Sequence, residues 1–396
     1  MKKLIRNDLS KCFGCKSCIR ACPLSDANIA FIENGQFKVR IDSEKCMACG
    51  ACLFVCPHKS RDYEDDTERF IEDLKNGVAI SVFCEPEGRA NLRDWDRILA
   101  WLRKMGAKHI FDMSLGAAIS TWAYIRWVQR NNLKSVISRP CPSIVDYILR
   151  HNSSILPYLS PVHSAAMCAA VYMRRYQDIT HKFAVISPCI AKTNEFTETE
   201  DLVLYNVTFK KLADYLARND IKLPVLAGKY DHPQSGLGAG YSDPGLLNEN
   251  VEFFLAKALH VCKSEGQSVV YKVLDEFGRE SQGNRPVVFE LLNCSKGCAL
   301  GTGTVRGCGV FTAETAAKNA VNGVLTGRER KYFEHMLADF DCNLRFVDFT
   351  RQYYPRTVTP GERFRKHFHV LENLINYRLR SNAYSAIGNY RKTWRA

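Results

Sequence analysis

The sequence predicts a composite architecture: a small α+β module at the amino end, an α/β unit of two parallel-sheet lobes, and a basic helical tail. Three observations predict it. Two cysteine runs repeat at an interval of 34 residues near the start of the chain. Short apolar strands alternate with amphipathic helical stretches from about residue 77 onward. From Asn343 the chain carries eleven Lys/Arg against three Asp/Glu and no cysteine. The expected division is therefore 1–76, 77–342 with lobes at about 77–180 and 181–342, and 343–396.

Composition sets the frame. With 396 residues, 46% hydrophobic and 24% charged, the chain can bury substantial cores. It has no run of about 18 apolar residues and no apolar stretch behind its first charges, so a cytoplasmic protein that does not span a membrane is expected. Seventeen cysteines, an odd count, in a long chain without a leader pattern favour metal ligation over a disulfide framework. The net charge of +13 suits an anionic partner or anionic cofactors held inside.

The first element is the most specific. One run reads CFGCKSCIRACP, with Cys12, Cys15, Cys18, Cys22 and Pro23; the other reads CMACGACLFVCP, with Cys46, Cys49, Cys52, Cys56 and Pro57. Each is the C-x2-C-x2-C-x3-C-P run of a two-cluster bacterial ferredoxin, in which the fourth cysteine ligates the other cluster. One 4Fe-4S cluster then takes Cys12, Cys15, Cys18 and Cys56, and the second takes Cys46, Cys49, Cys52 and Cys22. A structural zinc module would need only four ligands from one pair of knuckles. Two such clusters conduct electrons but choose no reaction. Residues 58 to 76 read as a charged linker.

In the second element, strands are expected within GVAISVFCEPEG (77–88), AKHIFDMSL, KSVISRP, HKFAVISPC and RPVVFELLNC. Helices are expected at 91–107 and around 114–131, 142–152, 163–177, 208–219 and 247–264. Parallel α/β sheets collect ligands at the carboxyl ends of their strands. Cysteines stand at those ends: Cys141 after SVISRP, Cys189 after FAVISP, and Cys294 with Cys298 after VVFELLN. A lone cysteine there is usually a small buried hydrophobe, but three cysteine-bearing turns at equivalent places point to a shared ligand.

These turns resemble, in order, the three signatures of the iron-only (FeFe) hydrogenase large subunit. SRPCPSI (138–144) stands for TSCCPxW, SPCIAKTNE (187–195) for MPCxxKxxE, and ELLNCSKGCALGTG (290–303) for ExMxCxxGCxxGGG. The likeness covers roughly residues 1 to 325. It implies an α+β two-cluster ferredoxin module followed by an α/β H-cluster domain of two parallel-sheet lobes. By position, Cys141, Cys189, Cys294 and Cys298 would hold the 4Fe-4S part of the H-cluster. Cys298 would also bridge to a diiron subsite with CO, CN and dithiolate ligands. Lys192 would offer its ammonium to a cyanide, and Glu195 would orient that lysine or cap the segment after it. The implied reaction is reversible splitting of H2 into protons and electrons, with a bridgehead amine as base and electrons leaving through the two ferredoxin clusters.

Departures from the pattern matter as much. Fast members of the family place a proton-relaying cysteine directly before the first ligand, where this chain has Pro140, which offers neither a side-chain acid nor an N–H. Between Met113 and Pro140 there is no Asp or Glu, so the family's carboxylate path is missing as well. Water or Glu290 remain as routes. Ser187 and Leu292 replace the methionines of the second and third motifs, which should alter the pocket and the cluster's potential. Positioned proton transfer contributes about 10²–10⁴-fold, so its loss implies low turnover. That pattern resembles the family's sensory branch, which keeps the ligands and lacks the relay cysteine.

Expected partners are H2 and protons, a redox partner such as ferredoxin, the diiron maturation proteins, and a signalling protein such as a kinase or phosphatase. Three other readings stay open: a ferredoxin-linked catalytic hydrogenase with a different proton path, an electron-transfer iron–sulfur protein without the diiron subsite, and a hydrogenase-like assembly protein. Cys84, Cys168, Cys262, Cys308 and Cys342 are scattered and most read as buried thiols, with Cys308 a candidate neighbour of the cluster. The glycines of SGLGAGY (235–241) read as a loop. RFRKHFHVLENLINYRLR (363–380) reads as an amphipathic helix that docks on the protein or a partner; without a helix-turn-helix, a protein partner is favoured over nucleic acid.

Overall fold

The computed structural model describes residues 4–355 apart from 25, 132–133, 139–140, 200–201, 233–237, 239, 242–243, 256–258, 306 and 326–329; in helix 310–325 and its successor the side chains of 317, 320–325 and 330–332 are also left aside. Met1–Tyr353 form one compact unit, and Tyr354–Ala396 a second. Pro140 and the helix expected at 363–380 lie outside the described residues.

The amino-terminal module has four strands: β1 (Ile5–Asn7), β2 (Asn28–Glu33), β3 (Gln36–Ile41) and β4 (Arg61–Tyr63). β1 pairs antiparallel with β4, while β2 and β3 form a hairpin turned on Asn34 and Gly35, both with positive φ. The 34-residue repeat extends to the backbone. Gly14 and Ala48, 34 apart, are both left-handed, as are Lys16 and Gly50, which open the short helices Ser17–Ala21 and Ala51–Phe54. Each cysteine run is thereby curled by the same pair of left-handed residues, one before and one after its second cysteine.

Residues 58–76 are not a linker. They contain β4 and the helix Thr67–Lys75, which buries Phe70, Ile71 and Leu74. The apolar residues fall on one face of a nine-residue helix, and the charges that suggested a linker occupy its outer face.

The remainder builds two parallel sheets. Its strands are β5 (Ile80–Cys84), β6 (His109–Asp112), β7 (Val136–Ser138), β8 (Lys182–Ser187), β9 (Val203–Thr208), β10 (Val261–Glu265) and β11 (Val288–Leu292). They assemble in the orders β6-β5-β8-β9 and β10-β11-β7. Each sheet draws strands from both sides of residue 181, so in the sheets the stretches 77–180 and 181–342 interleave. β5 is buried throughout and takes β6 and β8 as its neighbours, as a near-continuous apolar run should.

The helix expected at 247–264 ends at Leu255, and Val261–Glu265 is a strand in register with Val288–Leu292. An apolar run spanning both elements hides the boundary, which only the ladder to β11 sets. β9 was not expected either. The helix Ser114–Arg130 has twelve of its seventeen residues buried. It packs closely on the helix Ala165–Tyr176, where a Cβ on Gly116 would come within 2.2 Å of the Ala165 carbonyl. A helix enclosed on most sides has little room for charge, which accounts for the absence of Asp and Glu there.

Candidate metal centres

The first cysteine quartet forms one site. Cys12, Cys15, Cys18 and Cys56 line a common recess together with Arg61 and His58, while Cys22 is absent from its lining. The fourth cysteine of the second run thus joins the first three of the first run. Arg61 is buried, and its Nη2 donates to Cys18 Sγ at 3.2 Å and to Asn28 Oδ1 at 3.1 Å. Its Nη1 is buried without a hydrogen-bond partner among the described residues. A buried guanidinium aimed at thiols, with an unsatisfied donor, suits an anionic cluster with sulfide acceptors.

Cys22, Cys46, Cys49 and Cys52 form the second quartet. Burial raises the Cys49 thiol well above the ordinary range, and Cys52, Cys22 and Cys46 add to it. Burial likewise pushes Cys52 up to about 12, opposed by the Arg61 charge. Gly50 (φ +77) fits closely against the far segment 301–303: a Cβ there would lie 2.4 Å from Thr302 Cγ2.

A third site lies where strands of both sheets end. Cys141, Cys189, Cys294 and Cys298 line one cavity. Cys141 is the N-cap of the helix Pro142–His151, with Pro142 at its first position, where a missing N–H costs nothing. Cys189 follows β8. Its N–H donates to Ser187 Oγ at 3.3 Å, and its carbonyl accepts from Asn206 Nδ2 at 2.9 Å. Ser187 Oγ in turn donates to Asn206 Oδ1 at 2.7 Å, so the serine in the methionine position fastens the ligand loop to β9. Between Cys294 and Cys298 the chain reverses at Lys296 and Gly297, with φ of 62° and 78°.

Burial pushes Cys189 up to about 12, with Cys141 adding and Lys192 opposing. Cys294 is raised well above its ordinary value by burial and then by Cys189, Cys141 and Cys298. Cys189 and Cys294 thus resist ionisation unless a cationic group takes up their charge, which is what iron provides. Among the described residues no three His, Cys, Asp or Glu converge tightly enough for a single metal ion. A four-iron cube spreads its four thiolate ligands over a wide polyhedron, a donor set that the four cysteines of this cavity supply.

Lys192 and Glu195 both reach the cavity. Lys192 forms an ion pair with Glu85, both side chains being nearly buried. Burial works against the ammonium, but Glu85 outweighs it and the lysine pKa is raised. Glu195 is raised by burial, with Arg351, Lys192 and a Ser164 hydrogen bond opposing. Leu292 supplies apolar wall. Glu290 is not part of the lining. Its carboxylate accepts from the N–H groups of Gly245 and Asn248 at 3.1 and 3.3 Å, holding the start of the helix Leu246–Leu255.

The carboxylates that do join Glu195 at the cavity, Glu85 and Glu87, stand just after β5, and the sequence reading passed over them. The CEPEG turn at the end of a buried strand was the signal that could have found them. Gly238 and Tyr241, from the stretch read as a plain loop, also line the cavity. Cys308 does not; its Sγ sits 3.5 Å from the Ala90 carbonyl. Cys84 and Cys168 are buried, Cys262 and Cys308 half-buried, and Cys342 exposed.

The fold and these sites define an iron–sulfur protein with a dicluster module ahead of a third four-cysteine centre. Residues 4–69 match the family of the 4Fe-4S dicluster domain, and residues 82–252 match that of the iron-only hydrogenase large subunit, C-terminal domain. The second match contains Cys141, Cys189, Lys192 and Glu195 and ends before Cys294. No curated protein matches the chain. Solved structures similar to it include a variant of FeFe-hydrogenase HydA1 from Chlamydomonas reinhardtii, at 13% identity and a TM-score of 0.58, covering 74% of this chain and 99% of that one. Another is HydA(deltaEFG), concerned with stepwise H-cluster assembly, at 13% identity and a TM-score of 0.56 with the same coverage. At that identity the shared property is the fold. No helix among the described residues is long and apolar enough to cross a membrane.

Proposed function

We propose that the chain is an H-cluster protein that binds H2 and splits it slowly and reversibly, passing electrons through two 4Fe-4S clusters, and that it works as a hydrogen sensor or regulatory hydrogenase. The observation that carries this reading is the convergence of Cys141, Cys189, Cys294 and Cys298 on one cavity that also holds Lys192. An H-cluster, when bound, supplies the iron at which H2 is split and the redox capacity to accept its electrons.

The chain's own residues do the rest. Cys141, Cys189, Cys294 and Cys298 would hold the 4Fe-4S part of the H-cluster, and Cys298 would share the diiron subsite. Lys192, kept charged by Glu85, would offer its ammonium to a cyanide of that subsite. Met113, Ala117 and Leu292 line the cavity with apolar surface that excludes water. Glu195, whose carboxyl burial pushes upward, is a carboxylate at the cavity able to hold a proton. Low turnover follows from Pro140 in the relay position and from the carboxylate-free helix Ser114–Arg130. Electrons leave at Cys15, the exposed ligand of the first quartet, toward a redox partner such as ferredoxin. A slow enzyme serves signalling better than flux, which makes a kinase or phosphatase the expected signalling partner, in the cytoplasm where maturation proteins load the subsite.

Turnover with a fully loaded subsite tests the sensory part: a low rate supports it, and a rate equal to that of fast hydrogenases overturns it. One observation favours a second reading, an electron-transfer protein without the diiron subsite. Lys192 already has its counter-charge in Glu85. Carbonyl and cyanide infrared bands separate the two.

A further inference from the structure

The carboxamide of Asn293 joins two of the cysteine centres. It is 2% exposed and stands between β11 and Cys294. Its Nδ2 donates to the carbonyl of Cys49, 244 residues away, at 2.9 Å, and reaches the Sγ of Cys294 at 3.5 Å. Its Oδ1 accepts from the hydroxyl of buried Tyr271 at 2.6 Å. The two acceptors on one end and the phenol donor on the other fix which end carries nitrogen, and the two amide hydrogens serve the two centres separately. Gln267 Nε2 donates to the same Cys49 carbonyl at 2.8 Å but is not seen to touch Cys294.

We propose that the Asn293 carboxamide bridges electron flow between the cluster of Cys22, Cys46, Cys49 and Cys52 and the cluster of Cys141, Cys189, Cys294 and Cys298, and that its N–H···S bond raises the latter's potential. This rests on the reading that both quartets hold 4Fe-4S clusters. Each H2 oxidised yields two protons and two electrons. Each electron oxidises the Cys294 cluster by one and reduces the Cys49 cluster by one, the protons leaving through the cavity, with no bond broken at Asn293. A hydrogen bond to a ligating sulfur favours the more negative, reduced cluster, so it moves the potential upward. Asn293 is a positioning residue: it acts through Cys49 and Cys294.

The test uses the full chain reconstituted with iron and sulfide alone, followed by EPR redox titration and flash photoreduction. Asn293→Ala should lower the Cys294 cluster's reduction equilibrium by up to about tenfold, or about 59 mV for one electron, and slow transfer between the two clusters. Tyr271→Phe keeps the amide but frees it to turn, and should shift the same cluster in the same direction by less, which covers the case in which Asn293→Ala fails to fold. Gln267→Ala should leave the Cys294 cluster's potential in place. If three clusters form and neither Asn293→Ala nor Tyr271→Phe changes potential or transfer rate, the bridge is overturned while the proposed function stands. An equal shift in all three clusters also overturns it. If the parent chain forms only two clusters, both readings fail.

Discussion

Lys192 and Glu85 meet as an ion pair inside the cavity shared by the four cysteines, each side chain nearly nine-tenths removed from solvent. Breaking one partner of such a pair strands the other charge in a low-dielectric place. Glu85→Ala should therefore destabilise the apoprotein by about 3–5 kcal/mol, read by urea unfolding. Lys192 has a raised folded pKa, so its contribution is full below its ordinary value of 10.5 and is lost as pH rises through the higher folded value. Through the neutral range the effect of Glu85→Ala should be flat with pH.

Arg61 should set the potential of the first cluster. Its guanidinium donates to Cys18 Sγ, and removing the charge disfavours the reduced state. Arg61→Ala should lower that cluster's midpoint in an EPR titration and leave the Cys294 cluster unmoved.

The fastening of Cys189 predicts a selective loss. Asn206 is fully buried and holds both Ser187 and the Cys189 carbonyl. Asn206→Leu removes both of these buried bonds and leaves Ser187 Oγ and the Cys189 carbonyl only each other as partners, at about 1–3 kcal/mol in all. Iron analysis and EPR after reconstitution should show the third cluster depleted and the two ferredoxin-type clusters retained.

His163 predicts acid sensitivity. It is buried, its Nδ1 lacks a hydrogen-bond partner among the described residues, and its pKa falls to about 3 through burial and then the Arg351 and Arg175 charges. A lowered base contributes stability above its unfolded value of 6.5, and that stability is lost as pH falls toward 3. Between those limits the unfolded chain binds a proton that the native chain refuses, a slope of about 1.4 kcal/mol per pH unit. Urea midpoints measured from pH 7 to pH 5 should fall accordingly, and His163→Gln should flatten the trend.

Where the cysteines gather was legible because short spacing dictates geometry: two runs curled by left-handed residues, and turns at strand ends. Strands β5 to β8 and β11 were legible from their apolar runs. β10 was not, because the run through residues 247–264 offers helix and strand alike until β11 supplies a ladder, and β9, outside that run, is set by its pairing with β8. The bridge at Asn293 and the pairing of Glu85 were beyond reach for a related reason. Their roles arise from partners more than 100 residues distant in sequence, Cys49 and Lys192. Glu290 stood in a recognised motif, yet the fold uses its carboxylate to hold a helix start.

Infrared spectroscopy of the full chain, taken under hydrogen after loading of the diiron subsite, tests the central claim most directly. The account predicts carbonyl and cyanide bands that shift when hydrogen replaces argon and that vanish in Cys298→Ala. A chain whose three 4Fe-4S clusters form but which shows no such bands after loading would contradict it.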